Sequence, residues 1–288
     1  MKILMWNCRG LGRPLTVHNL KGIIRSHSPE IVFLCETKNP SRSVEQKLRG
    51  CGFKDWSLVN PEGTAGGLVI AWKEGLEVTV INSNHFFIAI IVKDKVTNHD
   101  WCLLGVHLST NDQIRSQQFG ELSLILQQVH GEVAIIGDFN TITNQREKKG
   151  RNEKSPASMA CFNNFFNDCE LVDIGMIGRP FTWSNRRTRG DLIQERLDRV
   201  LAGNGWLQKY QNAAVLRLSE SGSDHAPLLL DTNLRHEQSK RRFKFQEQWC
   251  AVPEVQNIIQ DTWRDEVRGS PMYSFAQKLK KCRHRLVA

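Results

Sequence analysis

AIIGDFN, residues 134–140, is the stretch around which the rest of this sequence can be organised. A run of small and apolar residues leads into Asp138, Phe139 and Asn140, which is typical of a buried strand that presents polar groups at the rim of a sheet. Asp138 and Asn140 stand at i and i+2, so they point the same way in extended structure. We predict that both side chains face one polar site at the end of this strand.

The composition is that of a globular protein whose charge is unevenly distributed. Of the 288 residues, 40% are hydrophobic and 24% are charged, which is enough apolar material for a sizeable core. Residues 1–234 hold 27 Lys and Arg against 24 Asp and Glu, whereas residues 235–288 hold 12 against 6. We therefore predict a main domain over 1–234 and a separate basic, helical tail over 235–288, whose removal should leave a folded core.

Cysteine spacing and hydropathy limit the setting of the protein. The eight cysteines form no CxxC pair, so zinc spacing is absent and reduced thiols are expected. No apolar run approaches the roughly 20 residues that span a bilayer, and the first residues turn polar too soon for a signal peptide. The sequence predicts a nuclear or cytoplasmic protein with no membrane segment.

Apolar periodicity predicts an alternation of strands and helices along the main domain. Strands are predicted over 2–8, 31–35, 66–72, 78–81, 86–92, 101–107, 132–138, 181–184, 193–197, 213–218 and 226–231. Helices are predicted over 15–27, 41–50 and 158–169, and from Asn111 or Asp112 onward. The polar stretch 144–156 is predicted to be a surface loop. Two apolar stripes at helical spacing, beginning at Val255 and Met272, predict two helices in the tail.

Polar side chains stand at five points where predicted strands begin or end. They are Asn7, Glu36, the pair Asp138 and Asn140, Asp198, and the pair Asp224 and His225. Carboxylates and amides without a thiolate cluster suit a hard cation such as Mg²⁺, and a further Asp and His could activate water and balance phosphoryl charge. Ordinary explanations also exist: a solvated strand end for Glu36, a salt-bridged strand for Asp198, and a structural hydrogen bond for His225.

Six ordered blocks of sequence carry a family resemblance over about residues 1–232. The blocks are Trp6-Asn7-Cys8-Arg9-Gly10-Leu11, Leu34-Cys35-Glu36-Thr37-Lys38, Gly66-Gly67, Gly137-Asp138-Phe139-Asn140, Arg196-Leu197-Asp198-Arg199 and Ser223-Asp224-His225-Ala226-Pro227. In this order the sequence resembles the endonuclease/exonuclease/phosphatase superfamily, which has the fold of deoxyribonuclease I and the apurinic/apyrimidinic endonucleases. The first and fifth blocks, with Phe181-Thr182-Trp183, look most like the endonuclease domain of plant LINE-type (non-LTR) retrotransposons. Residues 242–249 resemble the connector that precedes reverse transcriptase there.

The resemblance implies a fold, an activity and partners. The fold is α+β, a four-layer α/β/β/α sandwich of two packed mixed sheets flanked by helices. The activity is Mg²⁺-dependent hydrolysis of DNA phosphodiester bonds, with Mn²⁺ able to substitute, which leaves a 3′-hydroxyl that can prime reverse transcription. The partners are DNA and, in a longer polyprotein, a reverse transcriptase domain in cis; the chain is expected to be a monomer.

The resemblance also implies roles for the strand-end residues. The implied metal ligands are Glu36, Asn7 and Asp224. The implied catalytic residues are Asp138 for the attacking water, Asn140 for the scissile phosphate, and His225 with Asp198 for the transition state.

One block departs from the family pattern. The family usually has Tyr in a Gly-Val-Tyr context that contacts the phosphate, whereas this chain has His107 after Gly105 and Val106. Histidine is shorter than tyrosine and changes charge near neutral pH, so His107 keeps a catalytic position with altered chemistry. Two alternatives therefore stand: a catalytically impaired nucleic-acid-binding domain from a decayed or host-recruited element, and a phosphatase or RNA-directed nuclease of the same fold.

A basic turn lies between Trp183 and Asp198. Arg186, Arg187 and Arg189 are predicted to grip DNA phosphates or enter a groove, as loops near this position do in the family. A solvated basic turn explains them equally well.

Overall fold

The computed structural model describes residues 1–63, 65–94, 99–129, 131–188, 190–219, 221–234, 249–250 and 252–287. The chain divides into two compact units, Met1–Leu234 and Arg235–Ala288. In the described ranges, no helix combines the length and the apolar character needed to cross a membrane.

The first unit contains most of the secondary structure. Its elements are β1 (Lys2–Asn7), α1 (Pro14–His27), β2 (Ile31–Cys35), α2 (Ser41–Arg49), β3 (Asp55–Glu62), β4 (Ala65–Trp72), β5 (Glu77–Ser83), β6 (Phe87–Asp94), β7 (His99–His107), α3 (Asp112–Gln128), β8 (Glu132–Asp138), a 3₁₀ turn (Gln145–Glu147), β9 (Lys148–Lys149), α4 (Pro156–Asp168), β10 (Leu171–Asp173), β11 (Trp183–Ser184), β12 (Gln194–Glu195), β13 (Asp198–Gly203), α5 (Asn204–Lys209), β14 (Ala214–Arg217) and β15 (Leu228–Asp231).

Two six-stranded mixed sheets form the centre of this unit. The strand order is β14-β15-β1-β2-β4-β3 in the first sheet and β10-β13-β8-β7-β6-β5 in the second. Each sheet has one parallel pair at its centre, β1 with β2 and β7 with β8, and the remaining pairs are antiparallel. Because the carboxyl ends of parallel neighbours lie side by side, each sheet brings two strand ends to one edge.

Alternating side chains bury both faces of each sheet. On β1, Met5 points into the core between the two sheets, whereas Leu4 and Trp6 pack under α1 and α2. On β8, Ile136 joins the same central core, and Ile135 packs under α3 and α4. This burial explains why the strands appear as continuous apolar runs in the sequence. The predicted four-layer α/β/β/α sandwich is confirmed.

Several elements were not expected from the sequence. β3, β10, β13 and α5 are absent from the predicted set, and the strands predicted over 181–184 and 193–197 shorten to two residues each. The second of these, β12, pairs with both β11 and β9 in a small third sheet, which places part of the predicted surface loop 144–156 against the body of the unit.

The second unit contains two helices, α6 (Pro253–Arg264) and α7 (Pro271–Val287), at the two predicted apolar stripes. Thr262 and Cys282 are buried, and the rings of Trp263 and Phe275 meet edge to face with centroids 6.0 Å apart. Residues 242–248 of the predicted connector lie outside the described part of the chain, and the role of the tail stays a prediction.

Candidate active site

Neighbouring strands of both sheets deliver the predicted site residues to one edge. Asn7 ends β1, and Glu36 follows β2 directly, so the parallel pairing sets them side by side. In the second sheet, Asp138 at the end of β8 is in register with His107 on β7 and with Asp198 on β13. Three adjacent strands thus place three ionisable side chains in one row.

The position of Asp138 in this row depends on the residue before it, Gly137. Its φ is +155°. A Cβ added there would lie only 2.0 Å from the carbonyl oxygen of Val106 on the neighbouring strand. Only glycine allows β8 to approach β7 this closely, and the approach fixes where Asp138 emerges.

Glu36 forms the open half of the site and is surrounded by basic side chains. Its carboxylate is 18% exposed and lies 2.7 Å from Lys38 Nζ, 3.6 Å from Arg9 Nε and 3.5 Å from His107 Nε2. Burial alone would raise the pKa of Glu36, but the contacts with His107 and Lys38 outweigh it and hold the pKa well below its ordinary value. Glu36 is therefore ionised at neutral pH.

Asn7 joins this open half to the buried half. Its Nδ2 donates to Asp138 Oδ2 at 2.9 Å and reaches Glu36 Oε1 at 3.3 Å. One amide thereby fixes the spacing of two carboxylates that come from different sheets.

Asp138, Asp198 and His225 form the buried half. His225 Nδ1 lies 2.9 Å from Asp198 Oδ2, and its Nε2 lies 3.7 Å from Asp138 Oδ2. Both carboxylates are completely buried, and His225 is 4% exposed. Burial would lower the pKa of His225, but Asp198 and Asp138 raise it to about 9. Burial also raises the pKa of Asp198, and the charge of His225 offsets only part of that rise. We place the shared proton on His225, because two carboxylates flank the ring.

Asn140 is held against the same strand ends. Its backbone N–H donates to Asp138 Oδ1 at 3.0 Å, and its Nδ2 donates to the carbonyl of Leu108 at 2.7 Å. The residue has a left-handed φ of +51°, which asparagine tolerates better than most residues. An amide nitrogen has two N–H groups, so Asn140 keeps one available for a ligand.

Asp224 lies beside the open half. Its Oδ2 accepts a hydrogen bond from Trp183 Nε1 at 3.0 Å and forms an ion pair with the Arg9 guanidinium. Arg9 thus contacts both Glu36 and Asp224 and places them on one side of the site. The sequence predicted both carboxylates here, but it assigned no role to Arg9 or Lys38, although both stand inside the quoted blocks.

The arginines that flank Asp198 do not bind it. Arg196 and Arg199 instead share Glu147 and Asp173, with Arg199 Nη1 at 2.6 Å from Asp173 and Arg196 Nη2 at 2.8 Å from Asp173. The prediction that Asp198 lies in a strand and forms salt bridges with its neighbouring arginines is therefore wrong about the salt bridges. Glu147 was expected in a solvated loop; it is half-buried because it accepts hydrogen bonds from both arginines and from Thr143.

The predicted DNA-contacting turn is only partly described. Arg186 binds the carbonyl of Ser223, next to the site, through its guanidinium, and Arg187 is exposed. Arg189 lies outside the described residues. Trp72 and Trp101 are buried in the core between the sheets.

The sequence profile of the Endonuclease/Exonuclease/phosphatase family matches residues 5–225. The chain belongs to this family. The match includes every site residue named above, from Asn7 to His225. A comparison with curated proteins gave no match.

Several solved structures share this fold at low sequence identity. The 3′-5′ exonuclease NExo from Neisseria meningitidis is similar with a TM-score of 0.63 and 19% identity, covering 81% of this chain and all of that one. The AP endonuclease LMAP from Leishmania major gives 0.62 and 15%, covering 80% of this chain and 86% of that one. The endonuclease domain of TRAS1, a telomere-specific non-LTR retrotransposon, gives 0.61 and 14%, covering 81% and 99%. The predicted superfamily is confirmed.

Two sets of residues could hold the divalent metal on which this family generally depends. Ligand atoms of Asp138, Asp198 and His225 all lie within 4.8 Å of one another. That triad already shares a proton and is nearly closed to solvent. Glu36, Asn7 and Asp224 offer carboxylate and amide oxygens at a more open position, where Arg9 and Lys38 now balance the negative charge that a cation would balance in their place. This second donor set fits a hard cation better.

Proposed function

We propose that the chain is a divalent-metal-dependent endonuclease that hydrolyses DNA phosphodiester bonds and leaves a 3′-hydroxyl. One observation supports this proposal most strongly. The Asn7 amide contacts both the oxygen-rich open half and the buried Asp–His–Asp half, and so holds the two halves together. A phosphodiester needs both charge neutralisation and proton transfer, and the two halves match these two needs.

The open half would hold the metal. Glu36, Asn7 and Asp224 are the proposed ligands, and Mg²⁺ or Mn²⁺ bound there would neutralise charge on the phosphate. Arg9 and Lys38 now sit against the ligand carboxylates. We propose that they move to the DNA phosphates when a cation takes their place.

The buried half would act on the attacking water and on the phosphoryl oxygen. Asp138 accepts a proton from the water, and its carboxylate is held in place by Asn7 Nδ2 and the Asn140 backbone. His225 donates a hydrogen bond to the phosphoryl oxygen through Nε2, because Nδ1 is engaged with Asp198. Asp198 keeps the ring protonated and oriented, and Asn140 binds the scissile phosphate. The bond between phosphorus and the 3′-oxygen breaks, the water oxygen stays on the 5′-phosphate, and the leaving 3′-oxygen takes a proton from solvent.

Supercoiled plasmid provides the test of this function. The full chain with Mg²⁺ should convert it to the nicked form, and a DNA polymerase should extend the nicks directly because their 3′ ends are hydroxyls. Glu36→Ala and His225→Ala should abolish nicking, whereas Lys54→Ala, which changes an exposed lysine paired with Glu74, should not. Nicking that survives both site changes would refute the site assignment.

The LINE context is a finer proposal. It is supported by the Trp-Asn-Cys-Arg-Gly-Leu and Arg-Leu-Asp-Arg blocks and by the likeness to the TRAS1 endonuclease domain. We propose that the nick serves as a primer for a reverse transcriptase in cis, that the chain acts on nuclear DNA, and that it works as a monomer.

A catalytically impaired DNA-binding domain is the second candidate, and His107 favours it. Its imidazole lies 3.5 Å from Glu36 and 4.0 Å from Asp138, at the position where the family usually has Tyr. A histidine here competes with a metal for Glu36. Binding of DNA without nicking would support this candidate, and release of inorganic phosphate from 3′-phosphorylated DNA or from inositides would support a phosphatase.

A further inference from the structure

Helix α7 in the second unit carries a dense positive charge. Its 17 residues contain five lysines and arginines, one histidine and no acidic residue. The described part of this helix therefore differs from the first unit, where lysines and arginines are nearly balanced by carboxylates along the sequence. Such a concentration of charge needs a polyanionic partner or remains fully solvated.

Four of the six basic side chains of this helix lie on one face. Gln277, Lys280, Lys281, His284 and Arg285 line a single shallow depression. Their spacing of i, i+3, i+4, i+7 and i+8 places them along one side, which we call the basic face. Its basic residues, from Lys280 to Arg285, span about 7.5 Å along the helix axis, at 1.5 Å per residue.

Among the described residues, carboxylates neutralise little of this face. Lys281 Nζ lies 3.4 Å from Asp265 Oδ2, and Arg285 Nη2 lies 3.3 Å from the same oxygen. A single carboxylate thus serves two cations. Lys280, Lys281, His284 and Arg285 are all exposed, so the face keeps a net positive charge toward solvent.

Hydrogen bonds to α6 fix the position of α7 and its basic face. Arg285 Nη1 donates to Thr262 Oγ1 at 3.0 Å, and Lys278 Nζ donates to the carbonyl of Trp263 at 2.6 Å. Cys282 is buried on the opposite side of α7. The cations therefore project from a fixed helix, which lowers the conformational entropy lost on binding.

We propose that the basic face of α7 is a second DNA-binding surface, which contacts the phosphate backbone of duplex DNA. An α-helix fits the major groove, and about 7.5 Å of basic side chains can reach about two phosphates of one strand. The surface goes beyond the proposed nuclease function, since it needs none of the site residues. As part of the same chain, it would keep the enzyme on DNA by raising the local concentration of the substrate.

Binding of a fluorescent 30-base-pair duplex, measured by anisotropy with EDTA present, tests the proposal independently of cleavage. The full chain is compared with Lys280→Gln/Lys281→Gln and with the control Lys54→Gln/Lys93→Gln, which removes two exposed lysines of the first unit paired with Glu74 and Glu77. We expect the first variant to bind about 3- to 10-fold more weakly and to lower the slope of log K against log salt by about 1.8. The control should change affinity by less than 2-fold.

Other outcomes overturn the proposal. Equal losses in both variants would mean that only the total charge matters. Unchanged binding of duplex, with loss of binding to single-stranded RNA or to vesicles containing phosphatidylserine, would assign the surface to that partner instead. If circular dichroism shows that the double variant loses helix, Lys280→Glu alone provides the comparison, because that side chain lies on the exposed side of α7.

Discussion

Glu36 and Asp198 are both carboxylates at strand ends of one site, but their surroundings differ. Glu36 is partly open to solvent and contacts Lys38, Arg9 and His107. Asp198 is closed to solvent and contacts His225. A solvent-accessible carboxylate among basic side chains is suited to bind a metal ion near a phosphate. A buried carboxylate beside an imidazole is suited to keep that imidazole protonated. The difference supports the proposal that the two halves perform separate chemical steps.

The largest effect is expected from Asp198→Asn. The shape of the buried half stays, but His225 loses the charge that keeps it protonated, and we expect nicking to slow about 100- to 10,000-fold. Asp191→Asn, which changes an exposed aspartate paired with Arg151, provides the control and should keep full activity. Near-normal activity of Asp198→Asn in a single-turnover assay would contradict the proposal that the two halves have separate roles.

The next effect concerns how the buried half is held in place. Burial would raise the pKa of Glu147, but Arg199 and Thr143 lower it from 4.5 to about 2. The ionised carboxylate therefore stabilises the fold fully above pH 4.5 and loses this contribution as the pH falls toward 2. We expect Glu147→Gln to lower the free energy of unfolding by about 2 to 3 kcal/mol at pH 7 and by much less near pH 3.

Urea unfolding at the two pH values measures this difference. An equal loss at pH 7 and pH 3 would show that the charge of Glu147 is not what holds the arginines. Asp191→Asn again provides the control, since an exposed ion pair contributes little.

A smaller, opposite effect is expected from His107→Tyr in the open half. Tyrosine would remove the imidazole that contacts Glu36 and would restore the hydroxyl usual in the family. We expect nicking to rise several-fold at limiting Mg²⁺, whereas His99→Tyr at the far end of β7 should have no effect. Unchanged or lower activity of His107→Tyr would remove His107 as an explanation for impaired activity.

The smallest effect is expected from the basic turn beside the open half. Arg187→Ala should weaken duplex binding by about 2- to 5-fold and lower the salt slope by about 0.9, the value for one lost phosphate contact. Arg151→Ala, which removes another exposed arginine, should leave the slope unchanged. If the two variants behave alike, the turn is simply solvated.

The sequence predicted the layers of the fold well and the contacts of the site only partly. Strands buried on both faces and amphipathic helices leave clear periodic patterns, and the family blocks located Glu36, Asp138 and His225. Contacts between distant segments leave no such pattern. Asn7 bridges two sheets, and Arg196 and Arg199 turn away from the neighbouring Asp198, because three-dimensional packing brings other carboxylates within reach. β13 was missed because its apolar run, residues 200–202, is only three residues long and follows two charged residues.

Binding of Mn²⁺ followed by electron paramagnetic resonance tests the division of the site most directly, since it needs no turnover. The account predicts that Glu36→Ala weakens Mn²⁺ binding at least 10-fold, whereas Asp198→Asn changes it by less than 2-fold. The reverse pattern, with Mn²⁺ lost in Asp198→Asn and kept in Glu36→Ala, would place the metal in the Asp138–Asp198–His225 triad and contradict the account.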